Sequence, residues 1–206
     1  MKLIRFRKAI RFIQSAGNIR LQTAYVYVEK QRIVSGSLGA GGGWDSGHHN
    51  EVYKMARAIY KKIKGKNDTE TARNIINYVH SHVSYTTVRG KQSFEEAAYR
   101  ALTKHSADCY GYYCTTKILL DIAGIPNMMV KRSPVKVNGH YWNLVKLNGK
   151  WYHCDSTVFR VHRSVYFKQD DKKIWDSHHH FNKMILPVRA NGTPQYIKDQ
   201  EKDSKE

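Results

Sequence analysis

With 206 residues, 41% of them hydrophobic and 12% aromatic, the chain has the material for one well-cored domain plus an extension, which excludes global disorder. No stretch approaches the roughly 18 consecutive apolar residues of a membrane-spanning helix, so no transmembrane segment is predicted. The formal net charge of +18 favours an anionic partner such as nucleic acid, anionic lipid or an acidic polymer. Alternatively, the charge serves general solubility and gives only loose affinity for polyanions. Because Lys and Arg are spread along the whole chain, they do not indicate where a binding site lies.

Residues 1–47 are predicted to form a basic N-terminal extension. Basic residues interrupt the apolar positions of the first segment, residues 1–17, unlike the apolar core of a secretory signal. This segment is predicted to be an amphipathic helix that packs on its own domain or lies on a membrane surface. Residues 19–34 favour one or two strands. The Gly-rich residues 36–47 lack the Gly-Lys-Ser/Thr ending of a phosphate loop and indicate a flexible connector.

Three amphipathic helices are predicted next, because apolar residues recur there at helical spacing. They cover residues 49–64, 69–82 and 93–104. Asn67 or Asp68 is expected to cap the second, and Ser93 with Glu96 forms a capping box for the third. Their apolar stripes are most simply core positions.

A fourth helix is predicted to begin near Cys109 and to end at Ala123, where Gly124 followed by Pro126 is a stop signal. The apolar period then changes to two, which predicts a sheet. The predicted strands are Asn127–Arg132, His140–Leu147, Lys150–Ser156 and Val158–Phe167. A short helix capped by Asp170 or Asp171 follows them. Helices followed by an antiparallel sheet predict an α+β fold.

The dipeptide Asn148-Gly149 predicts a two-residue hairpin turn and therefore fixes a register. In this register His140 lies opposite Thr157 and Trp142 lies opposite Asp155. His140 and Asp155 are then diagonal neighbours on one face, with Cβ atoms about 7–8 Å apart. We expect the imidazole and the carboxylate to share a hydrogen bond.

Cys109 is the predicted nucleophile that this pair would serve. A thiol in the first turn of a helix lies near unpaired backbone N–H groups, which are expected to lower its pKa. Gly111 is expected to leave room for a substrate near the backbone. Three cysteines are too few for a disulfide framework, and Cys114 and Cys154 are predicted to be small core residues.

Four stretches of the chain are similar to blocks of the transglutaminase-like superfamily. DCYGYYCTTKILLDIAGIP resembles the nucleophile helix, and GHYWNLVKLNGKWYHCDST resembles the His-x-Trp-Asn and Gly-x-Trp-x-x-x-Asp strands. ETARNIINYVHSHVSY and YFKQDDKKIWDSHHHF resemble the flanking elements of bacterial members. The resemblance extends over about residues 50–185. It departs from the common pattern at Asp108, before the cysteine, and at Thr86, where many relatives have Asp.

The resemblance implies a papain-like core whose nucleophile helix packs on an antiparallel sheet. It implies Cys109 as nucleophile, His140 as general base and then acid, and Asp155 as the residue that orients His140. It places Trp142 in the wall of a substrate site. The implied domain covers residues 48–190, and residues 191–206 are predicted to be a charged flexible tail.

The implied reaction is acyl transfer on protein amides through a thioester, giving isopeptide crosslinks or glutamine deamidation; the alternative on the same residues is a cysteine peptidase or amidase. The implied partner is a protein or peptide substrate, and no cofactor is predicted. A catalytically idle basic module that binds polyanions is the rival of another class.

A zinc site at the His178–His180 run, at His48-His49 or at Cys109 with Cys114 is a further alternative, but these spacings match a compact zinc pair poorly. The His178–His180 run is expected to line a rim or face solvent, and no metal ligand is assigned. No export signal is visible, and the family resemblance leaves an extracytoplasmic location open.

Overall fold

The computed structural model describes residues 48–133, 139–159 and 165–190. The predicted basic extension, its strands, the Gly-rich connector and the C-terminal tail lie outside these ranges. The predicted boundaries at residues 47 and 190 therefore stay predictions. Within the described ranges, no helix is long and apolar enough to cross a membrane.

The helices follow the apolar periodicity closely. They are α1 (His49–Ile63), α2 (Asp68–His82), α3 (Phe94–Lys104), α4 (Cys109–Ile122) and α5 (Asp171–Ile174). Asn67 caps α2 through its side-chain oxygen, which accepts from the N–H of Glu70 at 2.9 Å. The capping box of Ser93 and Glu96 is present at the start of α3. These caps satisfy N–H groups that the first turn of a helix leaves unpaired, so the predicted helix starts are confirmed.

A four-stranded antiparallel sheet has the strand order β3-β4-β5-β6. Its strands are β3 (Asn127–Lys131), β4 (Tyr141–Leu147), β5 (Lys150–Asp155) and β6 (Tyr166–Gln169). Leu147 pairs with Lys150, and Asn148 and Gly149 both have positive φ, as a tight hairpin turn requires. The predicted register of β4 and β5 is confirmed.

The last strand lies later in the chain than Val158–Phe167, the span that the sequence predicts. Val158 and Phe159 are not in a strand, and β6 begins at Tyr166. The side chain of Asp155 accepts the N–H of Thr157 at 2.8 Å, and this local bond turns the chain out of the sheet. A register irregularity between His153 and Asp155 also interrupts the pairing of β5 with β6.

Helix α4 lies between α3 and the sheet and forms the centre of the core. Most of its side chains are buried, including Tyr112, Ile118, Leu119 and Leu120, whereas α1 buries only Val52 and Ala56. A helix that is apolar on most sides must be covered on most sides, so α4 is the element on which the others pack. The fold is α+β with the predicted nucleophile helix packed on an antiparallel sheet.

Two short strands fix the start of α4. The parallel strands β1 (Ser84–Tyr85) and β2 (Ser106–Ala107) pair directly before Cys109. Asp108 then separates β2 from the first residue of α4 as its N-cap. The chain therefore enters α4 from a hydrogen-bonded ladder, which fixes the position of Cys109.

Candidate active site

Cys109 is the first residue of α4 and is 8% exposed. Its thiol donates a hydrogen bond to the carbonyl of Gly139, with a sulfur-to-oxygen distance of 3.7 Å. Gly139 directly precedes His140, so the thiol lies against the segment that leads into β4. The structure thus brings the predicted nucleophile next to the chain segment of the predicted base.

Burial raises the pKa of the Cys109 thiol to about 11. The backbone N–H groups of Tyr141 and Tyr110 lower this pKa, and the nearby carboxylates of Asp108 and Asp155 raise it further. The lowered pKa expected from the helix start is therefore wrong, because desolvation outweighs the N–H groups. At neutral pH the thiol keeps its proton, and a base must remove it during any attack.

The side chain of Asp108 points back to its own helix. Its Oδ1 accepts the N–H of Gly111 at 3.0 Å, which caps α4. This explains the carboxylate at a position where the resemblance implies a smaller or apolar residue. Gly111 itself lies against Ala107 of β2 and the backbone of Ala97 in α3, so the close packing of both elements on α4 accounts for the glycine.

His140 and Asp155 form the hydrogen bond that the register predicts. His140 Nε2 lies 2.7 Å from Asp155 Oδ2, and both residues are buried. Thr157 donates its N–H to the other carboxylate oxygen, Oδ1, at 2.8 Å. Hydrogen bonds thus fix both oxygens of the carboxylate. Because Nε2 of His140 is bonded to Asp155, Nδ1 is the ring nitrogen available to a thiol.

Burial opposes the ionisation of Asp155, but the charges of His140 and His179 and the hydrogen bonds from both rings outweigh it. The pKa of Asp155 is therefore held well below its usual range. An ionised Oδ2 accepts hydrogen bonds, so the Nε2 of His140 is the protonated nitrogen. When the ring is neutral, Nδ1 then carries the lone pair that can accept a proton.

Trp142 lies behind the imidazole of His140, with ring centroids 5.5 Å apart and ring planes 21° from parallel. It is fully buried, and its Nε1 donates to Nδ1 of His153 at 3.0 Å. His153 Nε2 in turn bonds Asp171, which also binds Arg189. Trp142 therefore supports one face of His140, and its predicted contact with substrate stays a prediction.

His179 is a second imidazole on the same carboxylate. Its Nε2 lies 2.9 Å from Asp155 Oδ2, and its Nδ1 lies 2.9 Å from Asp176 Oδ1. Asp176 also accepts the backbone N–H groups of His178 and His179, and its Oδ2 accepts the hydroxyl of Tyr166 at 2.9 Å. His140, Asp155, His179 and Asp176 thus form one continuous chain of hydrogen bonds.

A family model described as the transglutaminase-like superfamily matches residues 53–156, just over half of the chain. The chain belongs to the transglutaminase-like superfamily. The matched region contains Cys109, His140 and Asp155 and ends before His179. Membership of this superfamily supports a cysteine-dependent enzyme in general.

A sequence search among curated proteins gave no match. Among solved structures, a candidate cysteine protease from Cytophaga hutchinsonii is 16% identical, with a TM-score of 0.40 over 52% of this chain and 37% of that chain. A crystal structure of a TGase is 13% identical, with a TM-score of 0.47 over 84% of this chain and 43% of that chain. The chain thus spans less than half the length of either protein.

Sequence reasoning missed His179 as a residue of this hydrogen-bonded network. It predicts a rim or a solvent-facing position for the whole His178–His180 run, yet His179 is completely buried while His178 is exposed. Asp176, three residues before His179, was the available signal, because an Asp at that spacing can hold both a backbone N–H and an imidazole. The pairing of His179 with Asp155 is a tertiary contact that no local pattern indicates.

Within the described ranges, one group of three side chains has a spacing compatible with a metal ion: His140, Asp155 and His179. Their nitrogen-to-oxygen distances of 2.7 and 2.9 Å are those of hydrogen bonds. Ligands of a tetrahedral zinc ion lie roughly 3.3–3.5 Å apart, given metal–ligand distances of about 2.0–2.2 Å. These residues fit a hydrogen-bonded network better than a metal centre.

Cys114 and Cys154 are buried free thiols away from this network. Burial raises the pKa of Cys154 to about 12 and that of Cys114 well above its usual value. Both side chains are completely inaccessible to solvent, so neither thiol can meet a substrate. Both environments fit the predicted core role.

Proposed function

We propose that the chain catalyses cysteine-dependent acyl transfer on protein amides through a thioester on Cys109. In this proposal His140 is the general base and then the acid, and Asp155 orients it. The observation that supports it most directly is the 2.7 Å hydrogen bond between His140 and Asp155 beside a thiol at the start of α4. Family membership adds weight to a cysteine enzyme.

The raised pKa of Cys109 decides how the first step proceeds. Nδ1 of His140 takes the thiol proton as the sulfur attacks the amide carbonyl, so no resting thiolate is needed. The new carbon–sulfur bond forms, the carbon–nitrogen bond breaks, and the imidazolium returns the proton to the departing ammonia or amine. A thioester on Cys109 remains.

The second step decides between transferase and hydrolase. A lysine amine that attacks the thioester gives an isopeptide crosslink, whereas water gives deamidation of glutamine or cleavage of a peptide. In each case His140 removes a proton from the incoming nucleophile and returns it to the sulfur. We favour a glutamine side chain as the donor on the family resemblance, and a peptidase or amidase on the same residues is the alternative.

Mass spectrometry of wild type and Cys109→Ala with a glutamine-containing protein, with and without a primary amine, tests this function. A mass gain that needs both the amine and Cys109 is expected for a transglutaminase. Conversion of glutamine to glutamate, or chain cleavage, that is lost in the variant identifies the hydrolase. Products formed equally by Cys109→Ala would contradict the proposal, and Cys154→Ala is the matched control for losing a buried thiol.

A second candidate, a basic module that binds polyanions, is favoured by the exposed face of α1. Lys54, Arg57, Lys61 and Lys62 line a shallow depression there. Binding to an acidic polymer that weakens steeply with salt, and that Cys109→Ala retains, is the expected behaviour of such a surface. Retained binding together with an unreactive Cys109 would favour this candidate over the enzyme.

A further inference from the structure

His179 occupies a place that the proposed mechanism does not use. It is completely buried, and each of its ring nitrogens lies 2.9 Å from a carboxylate oxygen, one of Asp155 and one of Asp176. Such distances on both sides of one ring place an N–H on each nitrogen, because ionised carboxylates only accept hydrogen bonds. Both ring nitrogens of His179 are therefore placed to donate to carboxylates, which favours the imidazolium form.

The surroundings of His179 agree with a fixed positive charge. Burial opposes the charge, but the hydrogen bonds and charges of Asp155 and Asp176 outweigh it and raise the pKa of His179. The other titratable groups that face it are His140, His153, His178 and Tyr166. Two carboxylates therefore face the ring of His179, and the rings packed around it are those of His140, Trp142, Phe159 and Tyr166.

The shared oxygen links this charge to the proposed base. His140 and His179 both donate to Oδ2 of Asp155, at 2.7 and 2.9 Å, and their ring centroids are 5.1 Å apart at 83°. Thr157 holds the other oxygen. If His179 were lost, Oδ2 would keep only His140, and the carboxylate could rotate about its remaining bonds.

We propose that His179 is a positioning residue for the Cys109 site, and that it acts through Asp155 to hold His140 with Nδ1 facing the thiol. Asp176 anchors His179 from the other side, and Tyr166 anchors Asp176. His179 also offsets the negative charge of Asp155, which otherwise disfavours negative charge on the sulfur of Cys109. This inference rests on the proposed role of His140 as the base.

The test measures acylation of Cys109 by an activated ester, p-nitrophenyl acetate, as a function of ester concentration and pH. The variants are His179→Phe, which keeps a ring and removes both donors, and His179→Gln, which keeps one amide donor without the charge. His178→Gln, an exposed neighbour, is the matched control. His140→Ala tests the proposed function separately.

We expect His179→Phe to lower the limiting acylation rate about tenfold to a hundredfold, by analogy with residues that orient a metal-bound histidine, with little change in the apparent KM. His179→Gln should recover part of this loss. In both variants the acidic limb of the pH–rate profile should move from its wild-type position, because the charge and hydrogen bond that His179 supplies to Asp155 are gone. A purely structural role would not move that limb.

Unchanged rate and unchanged acidic limb in a folded His179→Phe protein, with His140→Ala inactive, would overturn this inference and leave the proposed function standing. An active His140→Ala protein would overturn the proposed function itself. If His179→Phe does not fold, nitrogen-15 NMR of the histidines in wild-type protein still tests whether both ring nitrogens of His179 carry protons. Protons on both ring nitrogens of His179 at neutral pH are expected, and a bare ring nitrogen would overturn the inference.

Discussion

The helix N-terminus lowers the pKa of Cys109 and burial raises it, and the relative size of the two effects explains why the pKa is high. The N-terminus of a helix contributes about 0.3–1 kcal/mol, which is less than one pKa unit. Burial can shift a pKa by up to about 3–5 units. The thiol is only 8% exposed, so its pKa rises to about 11 and the site depends on a base.

Replacing Asp108 with Asn should make Cys109 more reactive at neutral pH. The carboxylate of Asp108 raises the pKa of the thiol, and Asn removes that charge while keeping a side-chain oxygen able to cap α4. The expected result is faster alkylation of Cys109 by iodoacetamide with nearly unchanged stability, measured by peptide mapping and urea unfolding.

Comparison with Asp108→Ala separates the effect of the Asp108 charge from its effect as the N-cap of α4. Asp108→Ala should raise reactivity similarly and lower the free energy of unfolding by about 1 kcal/mol, because α4 loses its N-cap. Slower alkylation of Cys109 in Asp108→Asn would show that the carboxylate assists the thiol and would contradict this electrostatic account.

At the scale of elements, the start of α4 depends on its contact with α3. A Cβ added at Gly111 would lie 2.7 Å from Cβ of Ala107 and 3.3 Å from the carbonyl oxygen of Ala97. Overpacking of this kind costs about 1–3 kcal/mol, and the higher helix propensity of Ala offsets up to about 1 kcal/mol. We therefore expect Gly111→Ala to lower the free energy of unfolding by about 1–2 kcal/mol, measured in urea.

Gly139→Ala is the control for this prediction. A Cβ there would lie 3.5 Å or more from its nearest neighbours in Tyr141, an ordinary contact. Its effect should be within about 0.5 kcal/mol. A Gly111→Ala protein as stable as wild type would contradict the tight packing of Ala107 and Ala97 on the start of α4.

Strands β4 and β5 hold a buried hydrogen bond between Trp142 and His153. Trp142→Phe keeps an aromatic ring near His140 and leaves Nδ1 of His153 without its donor. The expected loss is about 1–3 kcal/mol of unfolding free energy, the cost of an unsatisfied buried polar group. Trp175→Phe, at a residue 44% exposed, should change the unfolding free energy by about 0.5 kcal/mol or less.

Sequence patterns predict the elements well where residues close together in the chain determine the structure. Caps, apolar periodicity and the Asn148-Gly149 turn predicted the helix starts and the register that joins His140 to Asp155. The last strand was misplaced because the bond from Thr157 to Asp155 redirects the chain after β5. The sequence pattern does not show that the side chain of Asp155 accepts this particular N–H group.

For the whole molecule, the environment of Cys109 and the place of His179 both depend on packing between distant segments. Burial of Cys109 arises from α4 lying between α3 and the sheet, and His179 reaches Asp155 across 24 positions of sequence. The family resemblance could supply Cys109, His140 and Asp155 because short motifs surround them. The family model ends at residue 156, and the resemblance of the later stretch that contains His179 assigned it no role.

Strong acid, below about pH 3.8, should destabilise the folded protein. The pKa values of Asp171 and Asp176 are lowered from 3.8 to about 2, although burial opposes this change. Hydrogen bonds and charges from His153 and Arg189 lower the pKa of Asp171. The backbone N–H of His178 and the ring of His179 lower the pKa of Asp176. Unfolded carboxylates bind protons first, so this stability is present above pH 3.8 and is lost towards about pH 2. Urea unfolding across that range should show a falling free energy, and a flat profile would contradict these contacts.

The most direct test of the account is to find which cysteine carries an acyl group after brief exposure to an activated ester at neutral pH. Peptide mapping by mass spectrometry should place the thioester on Cys109 in wild type and find little of it in His140→Ala, because the protonated thiol needs a base. Acylation of Cys114 or Cys154 in preference to Cys109, or equal acylation of Cys109 in His140→Ala, would contradict it.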